Sequence, residues 1–387
     1  MFWSALLLSI AALVADYAVW RRRIRCGRFA AYRKAYAAFV LTTDLLPGVV
    51  PVVLALCRDN GTAAMLFAQW CFFAFLITVV PRIVFYLFLA LRMPRIGALL
   101  AAASVAVLLV GATRGRHAFR TEEVVIRSER LPAGFDGFRI VQFSDTHIGT
   151  MCRPDRELRR LVDAIDALRP DLIVFSGDLV NIRYTELDSA AMRILGGLRA
   201  PYGVVSSVGN HDIGYYIKDS ISLPAEVNLA RLIDRQRAMG WRVLDDASES
   251  LVRGGDTITV SGLSFNPALR NFRHAFLLPE YDISAAYDSI PDRLFNITVS
   301  HLPQLWPNIT ALGYGDLTLS GHVHSMQMKL RLGDRRFSPA QWMYEQWSGL
   351  YEERGRYLYI NDGIGCVGFP MRLGAARPEI TLITLRR

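Results

Sequence analysis

Residues 138–147 have the sequence FRIVQFSDTH, a short run of β-branched and aromatic residues that ends in an acid and a histidine two positions apart. Such a run predicts a strand over residues 138–143 and a loop after it. Alternate residues of an extended chain share a face, so Asp145 and His147 can point to the same side. Histidine is the commonest metal ligand, and a carboxylate beside it at a strand end indicates a metal-binding loop.

Four further segments repeat this pattern, and together the five segments contain five of the seven histidines. The four are Gly177-Asp178, Gly209-Asn210-His211-Asp212, Ser300-His301 and Gly321-His322-Val323-His324. Each segment follows a predicted strand, and ligands of open α/β sheets bind where strands end and loops begin. The clustering of histidines therefore predicts a catalytic metal site.

Short predicted strands alternate with amphipathic helices in this part of the chain, which predicts a layered α/β domain over residues 138–387. Strands are predicted at residues 138–143, 171–175, 204–208, 257–260, 295–299, 317–319, 357–360 and 379–385, and helices at residues 156–168 and 226–239. A polar connector over residues 113–137 is expected to precede this domain.

The composition of the chain changes near residue 113. Residues 1–112 are mostly apolar and carry 11 Lys and Arg against 3 acidic residues, whereas residues 113–387 carry 33 against 32. The first part predicts a transmembrane anchor, residues 1–112. Because nearly all of the net charge of +9 lies in this anchor, the charge gives no support to nucleic-acid binding.

Apolar stretches at residues 2–20, about 36–56, 63–91 and 96–112 predict a bundle of about four transmembrane helices. The loop between the first two stretches carries seven basic residues between Arg21 and Lys34, and the positive-inside rule places such a loop in the cytoplasm. Counting the spans forward puts the C-terminal domain on the periplasmic or extracellular side of the cytoplasmic (inner) membrane.

Two charged residues lie inside the predicted spans. Asp44 and Arg82 are each ten residues from the basic residue that marks the cytoplasmic end of its span, so both lie about 15 Å above that end. An unpaired charge in hydrocarbon is costly, which predicts that these two side chains pair. Alternatively, Arg82 ends a shorter third span and faces water or lipid headgroups.

The five motif segments, taken together and in this order, resemble the calcineurin-like metallophosphoesterase superfamily. The resemblance covers residues 138–387 and is greatest to the membrane-anchored bacterial branch, whose closing segment corresponds to residues 363–365 and 378–381. It implies a four-layer αββα sandwich and a phosphoric ester hydrolase that uses two divalent or trivalent metal ions. The mixed oxygen and nitrogen ligands suit Mn, Fe or Zn.

The resemblance also implies a role for each motif residue. Asp145, His147 and His324 would hold one metal ion, Asn210, His301 and His322 would hold the second, and Asp178 would bridge the two. A metal-bound hydroxide would attack phosphorus, and His211 would contact the phosphate and protonate the leaving oxygen, with Asp212 orienting its ring. Asp212 could instead cap a helix beginning near Ile213.

One feature departs from the branch that the chain resembles. Members of that branch often have two glycines after the last motif histidine, whereas Ser325 and Met326 occupy those positions here. The expected ligands are all present, but Ser325 and Met326 are expected to make the pocket wall bulkier or more polar than two glycines would.

These observations predict a membrane-anchored phosphohydrolase that cleaves a phosphoester or pyrophosphate bond. A lipid-linked phosphoester substrate is favoured, because the site is tethered near a bilayer. Membrane lipids are the other expected partner, and the oligomeric state is left open. One alternative is a cytoplasm-facing hydrolase of a nucleotide-linked lipid precursor. Another is a membrane scaffold that retains the fold without catalysis.

Two aromatic segments outside the motifs leave two interpretations each. Residues 341–359 could contact the membrane interface or pack in the core, and residues 265–281 could bind an anionic head group or lie on the surface. The five cysteines show no CxxC spacing, so neither a zinc knuckle nor a disulfide framework is predicted. A disulfide between Cys152 and Cys366 would form only if residues 113–387 are exported from the cytoplasm.

Overall fold

The structure is a computed structural model with two structural units. It describes residues 2–25, 29–47, 62–218, 223–267, 269, 282–333 and 335–387. One compact unit comprises Met1–Arg114 with Val367–Met371, and we call it the helical unit. The other comprises Gly115–Cys366 with Arg372–Arg387, and we call it the catalytic unit.

The described residues of the helical unit contain four α-helices. They are α1 (Phe2–Val19), α2 (Arg33–Asp44), α3 (Thr62–Ala90) and α4 (Pro94–Thr113). Among the described residues, two helical stretches are long and apolar enough to cross a membrane, Thr62–Ala90 and Pro94–His117. The expectation of a bundle of four such helices is therefore not met. Helix α2 has 12 residues and is about 18 Å long, whereas a bilayer core is about 30 Å thick. Residues 48–56 of the second predicted span lie outside the described residues.

The predicted pair of charges in the helical unit is confirmed. The guanidinium of Arg82, within α3, forms an ion pair with the carboxylate of Asp44 on α2. Arg82 is therefore not the end of a shorter span. The structure adds a second acid that the sequence argument missed, because Arg82 Nη1 lies 2.9 Å from Asp16 Oδ2 on α1. The hydroxyl groups of Tyr36 and Tyr86 donate to Asp16 Oδ1.

This polar cluster predicts unequal effects of substitution. Arg82→Met would leave two buried carboxylates without a cation, and removing one partner of a buried ion pair costs about 3–5 kcal/mol. Asp16→Asn removes one acid and leaves Arg82 paired with Asp44, so we expect a smaller loss. Thermal unfolding of the full chain in detergent micelles measures both. Equal midpoints for the two variants would contradict the role given to Arg82.

Three sheets form the frame of the catalytic unit. The strand order is β1-β15-β2-β3-β4-β5 in the first sheet, β12-β13-β9-β8-β7-β6 in the second and β11-β10-β14 in the third. The strands are β1 (Arg120–Arg127), β2 (Arg139–Phe143), β3 (Leu172–Ser176), β4 (Val204–Ser207), β5 (Arg242–Val243), β6 (Ala247–Arg253), β7 (Asp256–Gly262), β8 (Asn296–Val299), β9 (Leu317–Ser320), β10 (Met328–Leu332), β11 (Arg335–Phe337), β12 (Gly349–Glu353), β13 (Arg356–Ile360), β14 (Leu373–Gly374) and β15 (Glu379–Arg386).

The central strands are buried on both faces, which explains their continuous apolar sequences. Ile140 of β2 packs in a core that also contains Ile297 of β8 and Leu319 of β9, so this core joins the first sheet to the second. The neighbouring residue Val141 points the opposite way, into a core formed with three helices. These helices are α5 (Pro154–Ala167), α6 (Ser189–Leu195) and α7 (Ala225–Ala238).

A third core covers the other side of the second sheet. It contains Ile309 of helix α8 (Trp306–Ala311) and Tyr287, whose hydroxyl lies 3.1 Å from Thr298 Oγ1 on β8. Sheets with helices packed against them are the α/β architecture that the alternating pattern predicts, and that part of the prediction is confirmed.

All eight predicted strands and both predicted helices are present. The segment expected to be a connector contains β1, which pairs in parallel with β15 over eight residues. Its sequence, RTEEVVIR, carries charges at half of its positions because it lies at the edge of its sheet, where most of its side chains remain partly exposed. Cys152 is exposed and Cys366 is buried, and neither forms a disulfide.

Candidate active site

The C-terminal ends of five strands position the motif residues. Asp145 and His147 follow β2, Asp178 follows β3, and Asn210 follows β4, all in the first sheet. His301 follows β8 and the pair His322 and His324 follows β9, both in the second sheet. Strands β2, β3 and β4 are mutually parallel, as are β8 and β9, so each set of loops leaves its sheet at one edge.

The first group of donor atoms comes from Asp145, His147 and His324. Asp145 Oδ1 lies 2.9 Å from His324 Nε2 and 3.8 Å from His147 Nε2, and the two histidine nitrogens are 3.2 Å apart. Metal–nitrogen and metal–oxygen bonds are about 2.0–2.2 Å long, so ligands on one ion stand about 3 Å apart. The three atoms therefore have the spacing that a single ion requires.

The second group comes from Asn210, His301 and His322. Asn210 Oδ1 lies 2.8 Å from His322 Nδ1 and 3.2 Å from His301 Nε2. Asp178 lies between the groups, because its Oδ2 is 3.1 Å from His301 Nε2 and 3.7 Å from His147 Nε2. The structure thus brings together all seven residues that the sequence singles out as metal ligands.

The protonation states of these residues suit metal binding, because a metal ion needs ionised carboxylates and neutral imidazoles. Burial lowers the pKa of His147 to about 4, and burial followed by the charge of His301 lowers the pKa of His322 to about 3. Burial alone would raise the pKa of Asp145 and Asp178, but the neighbouring histidines outweigh it and keep both carboxylates ionised.

The pKa of His301 shifts in the opposite direction to the pKa values of His147 and His322. Burial opposes its charged form, yet the carboxylates of Asp178 and Asp145 outweigh burial and raise the pKa of His301 to about 9. A proton on this ring and a bound cation would both respond to the same two carboxylates, so metal binding here would release a proton. The donor set therefore fits divalent ions.

The backbone at the site is held in an uncommon conformation. Five of the seven candidate ligands have positive φ angles: Asp145, His147, Asp178, His322 and His324. Residues other than glycine rarely have a positive φ angle, and those that do are concentrated at functional sites. Glycine is required beside them, since a Cβ at Gly177 would lie 2.6 Å from His301 Nδ1, and a Cβ at Gly321 would collide with the Asp145 carboxylate.

His211 lies next to both groups. One of its ring nitrogens is within 4.8 Å of donor atoms of His147 and Asp178, and its Nδ1 is 2.6 Å from the backbone oxygen of Asn181. The ring stacks on Tyr216 at a centroid distance of 4.4 Å. Burial lowers the pKa of His211, so the ring is neutral at pH 7.

The expected role of Asp212 needs correction. Its carboxylate accepts backbone N–H groups of Asp178, Leu179, Val180 and Gly209, whereas Asn181 orients the His211 ring. Asp212 therefore ties the loop after β3 to the loop after β4. It also caps no helix, because turns follow it and the next described helix begins at Ala225.

Three further residues support the site, and sequence reasoning did not find them. Arg372, which is buried, has Nη2 3.2 Å from His324 Nδ1. Glu186 accepts backbone N–H groups of Gly149 and Asn181, next to the first and second motif loops. Tyr216 accepts a hydrogen bond from Asn210 Nδ2 at 3.1 Å. None of the three lies in a motif, so only their position in the fold shows what they do.

Comparison with known proteins agrees with this geometry. The family described as calcineurin-like phosphoesterase matches residues 138–326. The uncharacterized metallophosphoesterase YkuE of Bacillus subtilis is 32% identical over 273 residues, which cover 70% of this chain and 86% of that protein. The chain belongs to the calcineurin-like phosphoesterase family. It is therefore a metallophosphoesterase, a phosphoester hydrolase.

Two other relatives carry informative names. UDP-2,3-diacylglucosamine pyrophosphatase LpxG of Chlamydia trachomatis is 26% identical over 298 residues, covering 65% of this chain and 84% of that protein. A protein of Danio rerio named as a transmembrane protein with metallophosphoesterase domain is 29% identical, and the match covers 68% of this chain and 57% of that protein. The name of the Danio rerio relative and the two apolar helices of this chain together indicate membrane association.

Ser325 and Met326, which replace two glycines after His324, differ in the contacts that they make. Ser325 and Met326 have φ angles of 47° and 46°, in the left-handed region where glycine is favoured. The hydroxyl of Ser325 donates to Asp362 Oδ1, in a buried group with Lys329 and Ser348. Ser325 thus contributes a hydrogen bond that a glycine cannot make, whereas the side chain of Met326 has no hydrogen-bond donor.

This difference predicts opposite results for two substitutions. A left-handed residue other than glycine costs about 1–2 kcal/mol, so Met326→Gly should leave stability unchanged or raise it by up to about 1 kcal/mol after the extra entropy of glycine in the unfolded chain. Ser325→Gly also loses a hydrogen bond to a buried carboxylate, worth about 1.5–3 kcal/mol, and should lower stability by about 1 kcal/mol. Thermal unfolding of both variants tests the ordering, and a more stable Ser325→Gly would contradict it.

Proposed function

We propose that this chain is a membrane-associated, dinuclear metallophosphoesterase that cleaves a phosphoester or pyrophosphate bond of a lipid-linked substrate. The observation that carries the proposal is the arrangement of seven donor atoms in two groups of three with the Asp178 carboxylate between them. In this proposal the catalytic unit has the family's four-layer αββα arrangement.

The donor groups define the proposed metal ligands. Asp145, His147 and His324 would hold one ion, Asn210, His301 and His322 the other, and Asp178 would contact both. When bound, two such ions lower the pKa of a shared water and neutralise charge on the attacking and leaving oxygens. Mn, Fe and Zn all accept this mixture of oxygen and nitrogen ligands.

His211 is the proposed acid or phosphate contact. Its Nδ1 lies 2.6 Å from a backbone oxygen, so the Nδ1 proton is donated there and Nε2 is left to meet the substrate. The ring can protonate a leaving oxygen only when Nε2 also carries a proton, and an anionic phosphate beside the ring would favour that protonated form. The stacked ring of Tyr216 restricts its rotation. Asp212 acts as a positioning residue, because it holds the backbone of Asp178 rather than contacting the ring of His211.

The lipid-linked substrate is inferred from two facts. The chain carries two helices apolar enough for a bilayer, which would hold the site near lipids. One relative is named as a pyrophosphatase of a diacylated sugar nucleotide, UDP-2,3-diacylglucosamine. That name also favours the second candidate function, a cytoplasm-facing hydrolase of a nucleotide-linked lipid precursor.

The side of the membrane distinguishes the two functions. An outer location requires an odd number of crossings after the arginine-rich segment that ends at Lys34, of which α3 and α4 supply two. Residues 36–56 would have to supply the third. Reporter fusions after residue 120 decide this, since a reporter active only in the cytoplasm would favour the second function and rule out the outer location.

Activity measurements test the proposed chemistry. With Mn present, the full chain should hydrolyse a nitrophenyl phosphodiester, and His211→Ala should lower kcat by about 10²–10⁴, the usual contribution of a positioned acid or base. Asp178→Asn should lower both activity and metal content. His117→Ala is the matched control, because His117 pairs with Glu157 at 3.2 Å and lies in none of the motif segments.

Loss of activity and of metal binding in the wild type would contradict the proposal. If wild type, Asp178→Asn and His211→Ala were all inactive and the wild type bound no metal, the chain would be a scaffold that retains the fold. Phosphorus-resolved comparison of lipid extracts before and after incubation then tests the substrate class without a prior choice of lipid.

A further inference from the structure

Directly after the last motif histidine, β10 and β11 form an antiparallel hairpin that we call the 328–337 hairpin. Leu330 pairs with Phe337, and Leu332 pairs with Arg335. Alternate residues of a strand point to opposite faces, so Met328, Leu330 and Leu332 share one face and Lys329 and Arg331 share the other. The hairpin therefore has an apolar face and a basic face.

The apolar face is open to solvent. Leu330 is 54% exposed, Leu332 60% and Phe337 41%, and the nearby Trp342 is 79% exposed. Leu330, Phe337 and Trp342 line an open groove of about 460 Å³ together with Met328 and Leu373, and its walls are almost entirely apolar. Single exposed apolar residues are common, but a contiguous patch of large ones marks an interaction surface.

The other face carries positive charge. Lys329, Arg331 and Arg336 line a cavity of about 220 Å³ together with Arg120, Glu122 and Glu379. Glu122 pairs with Arg120 and lies 3.9 Å from Arg331, and Lys329 pairs with Asp362. Residues 328–342 contain four basic residues and one acidic residue. One of the basic residues, Arg335, is exposed and pairs with Leu332, so it lies on the apolar face itself.

We propose that the 328–337 hairpin and Trp342 form a surface that docks onto a bilayer of anionic lipids. Tryptophan prefers the interface between headgroups and acyl chains, and leucine and phenylalanine gain by burial below it. Exposed Lys and Arg side chains near an anionic surface add electrostatic attraction to this burial. A second copy of this chain would bring the basic residues of two hairpins together, so charge complementarity favours lipid as the occupant.

The docked hairpin would also orient the active site. Residues 338–344 run from the groove to the metal-ligand loops, because Ser338 Oγ donates to the backbone oxygen of Ser325 at 2.7 Å and the ring of Tyr344 lies 6.2 Å from that of His322. A lipid surface held at Trp342 therefore lies next to the segment that borders His322. This surface goes beyond the proposed function, since lipid docking does not depend on which phosphoester is cleaved.

The experiment uses the full chain, one copy per nanodisc, with an environment-sensitive fluorophore attached through Leu332→Cys. The exposed Cys152 is removed by Cys152→Ser, and signal from the remaining cysteines is subtracted with the Cys152→Ser chain alone. Val252→Cys is the matched control, because Val252 is also 60% exposed but lies on β6 in the second sheet. Discs contain either neutral lipid or neutral lipid mixed with phosphatidylglycerol.

In anionic discs the emission at position 332 should shift to the blue and be quenched by lipids that carry a spin label in the acyl chain. The probe at position 252 should show neither change. Arg335→Glu, which reverses a charge at the hairpin end, should weaken the shift in anionic discs. Nitrophenyl phosphodiester hydrolysis by the Leu332→Cys chain reports separately on the active site.

Three results would overturn the proposal. One is unquenched emission at position 332 in both kinds of disc. Another is equal quenching in neutral and anionic discs, because the basic residues would then have no part. The third is a shift that needs two copies per disc, which would identify a second chain as the occupant.

Discussion

Two buried carboxylates, Asp145 and Asp178, surrounded by imidazole nitrogens, are the constraint on which the catalytic unit depends. Both remain ionised in spite of burial, and an ionised carboxylate away from water is costly unless a cation or hydrogen-bond donors compensate it. The surroundings supply part of this compensation, through the raised pKa of His301 and the backbone N–H of His211. Two metal ions held by the same atoms would supply the rest.

The geometry of the loops follows from this constraint. To bring donors from two different sheets within hydrogen-bond distance of one another, the chain must turn sharply directly after each strand. These turns require positive φ angles at five of the candidate ligands and glycines beside them. Asp212 and Glu186 then hold the turns in place by accepting backbone N–H groups.

Sequence patterns predicted the strands and the ligand residues, which depend on short stretches of sequence. The strands found in advance are buried and apolar, and the ligand residues follow them at short, fixed spacings, so neither required knowledge of the tertiary structure. Where the structure describes the chain, two helices rather than four are long and apolar enough to cross a membrane, and the apolar stretch that begins near residue 36 is a helix of 12 residues there. Strand β1 was missed because an edge strand with charges at half of its positions resembles a polar connector.

Other features could not be predicted, because they depend on long-range contacts. Asp212 lies next to His211 in sequence, but its carboxylate turns toward the loop after β3, about thirty residues earlier. Asp16, which precedes Arg82 by 66 residues in the sequence, also pairs with Arg82 in the structure. Trp342 looked like one aromatic residue among several in its segment, and only the structure separates it from the buried Tyr359.

The most direct test of the account is the metal content of the full chain together with the magnetic state of the bound ions. With Mn supplied, elemental analysis should find two ions per chain, and the electron paramagnetic resonance spectrum should show exchange coupling, because Asp178 lies between the two donor groups. A fully active enzyme that binds one ion per chain, or two ions without coupling, would contradict the account.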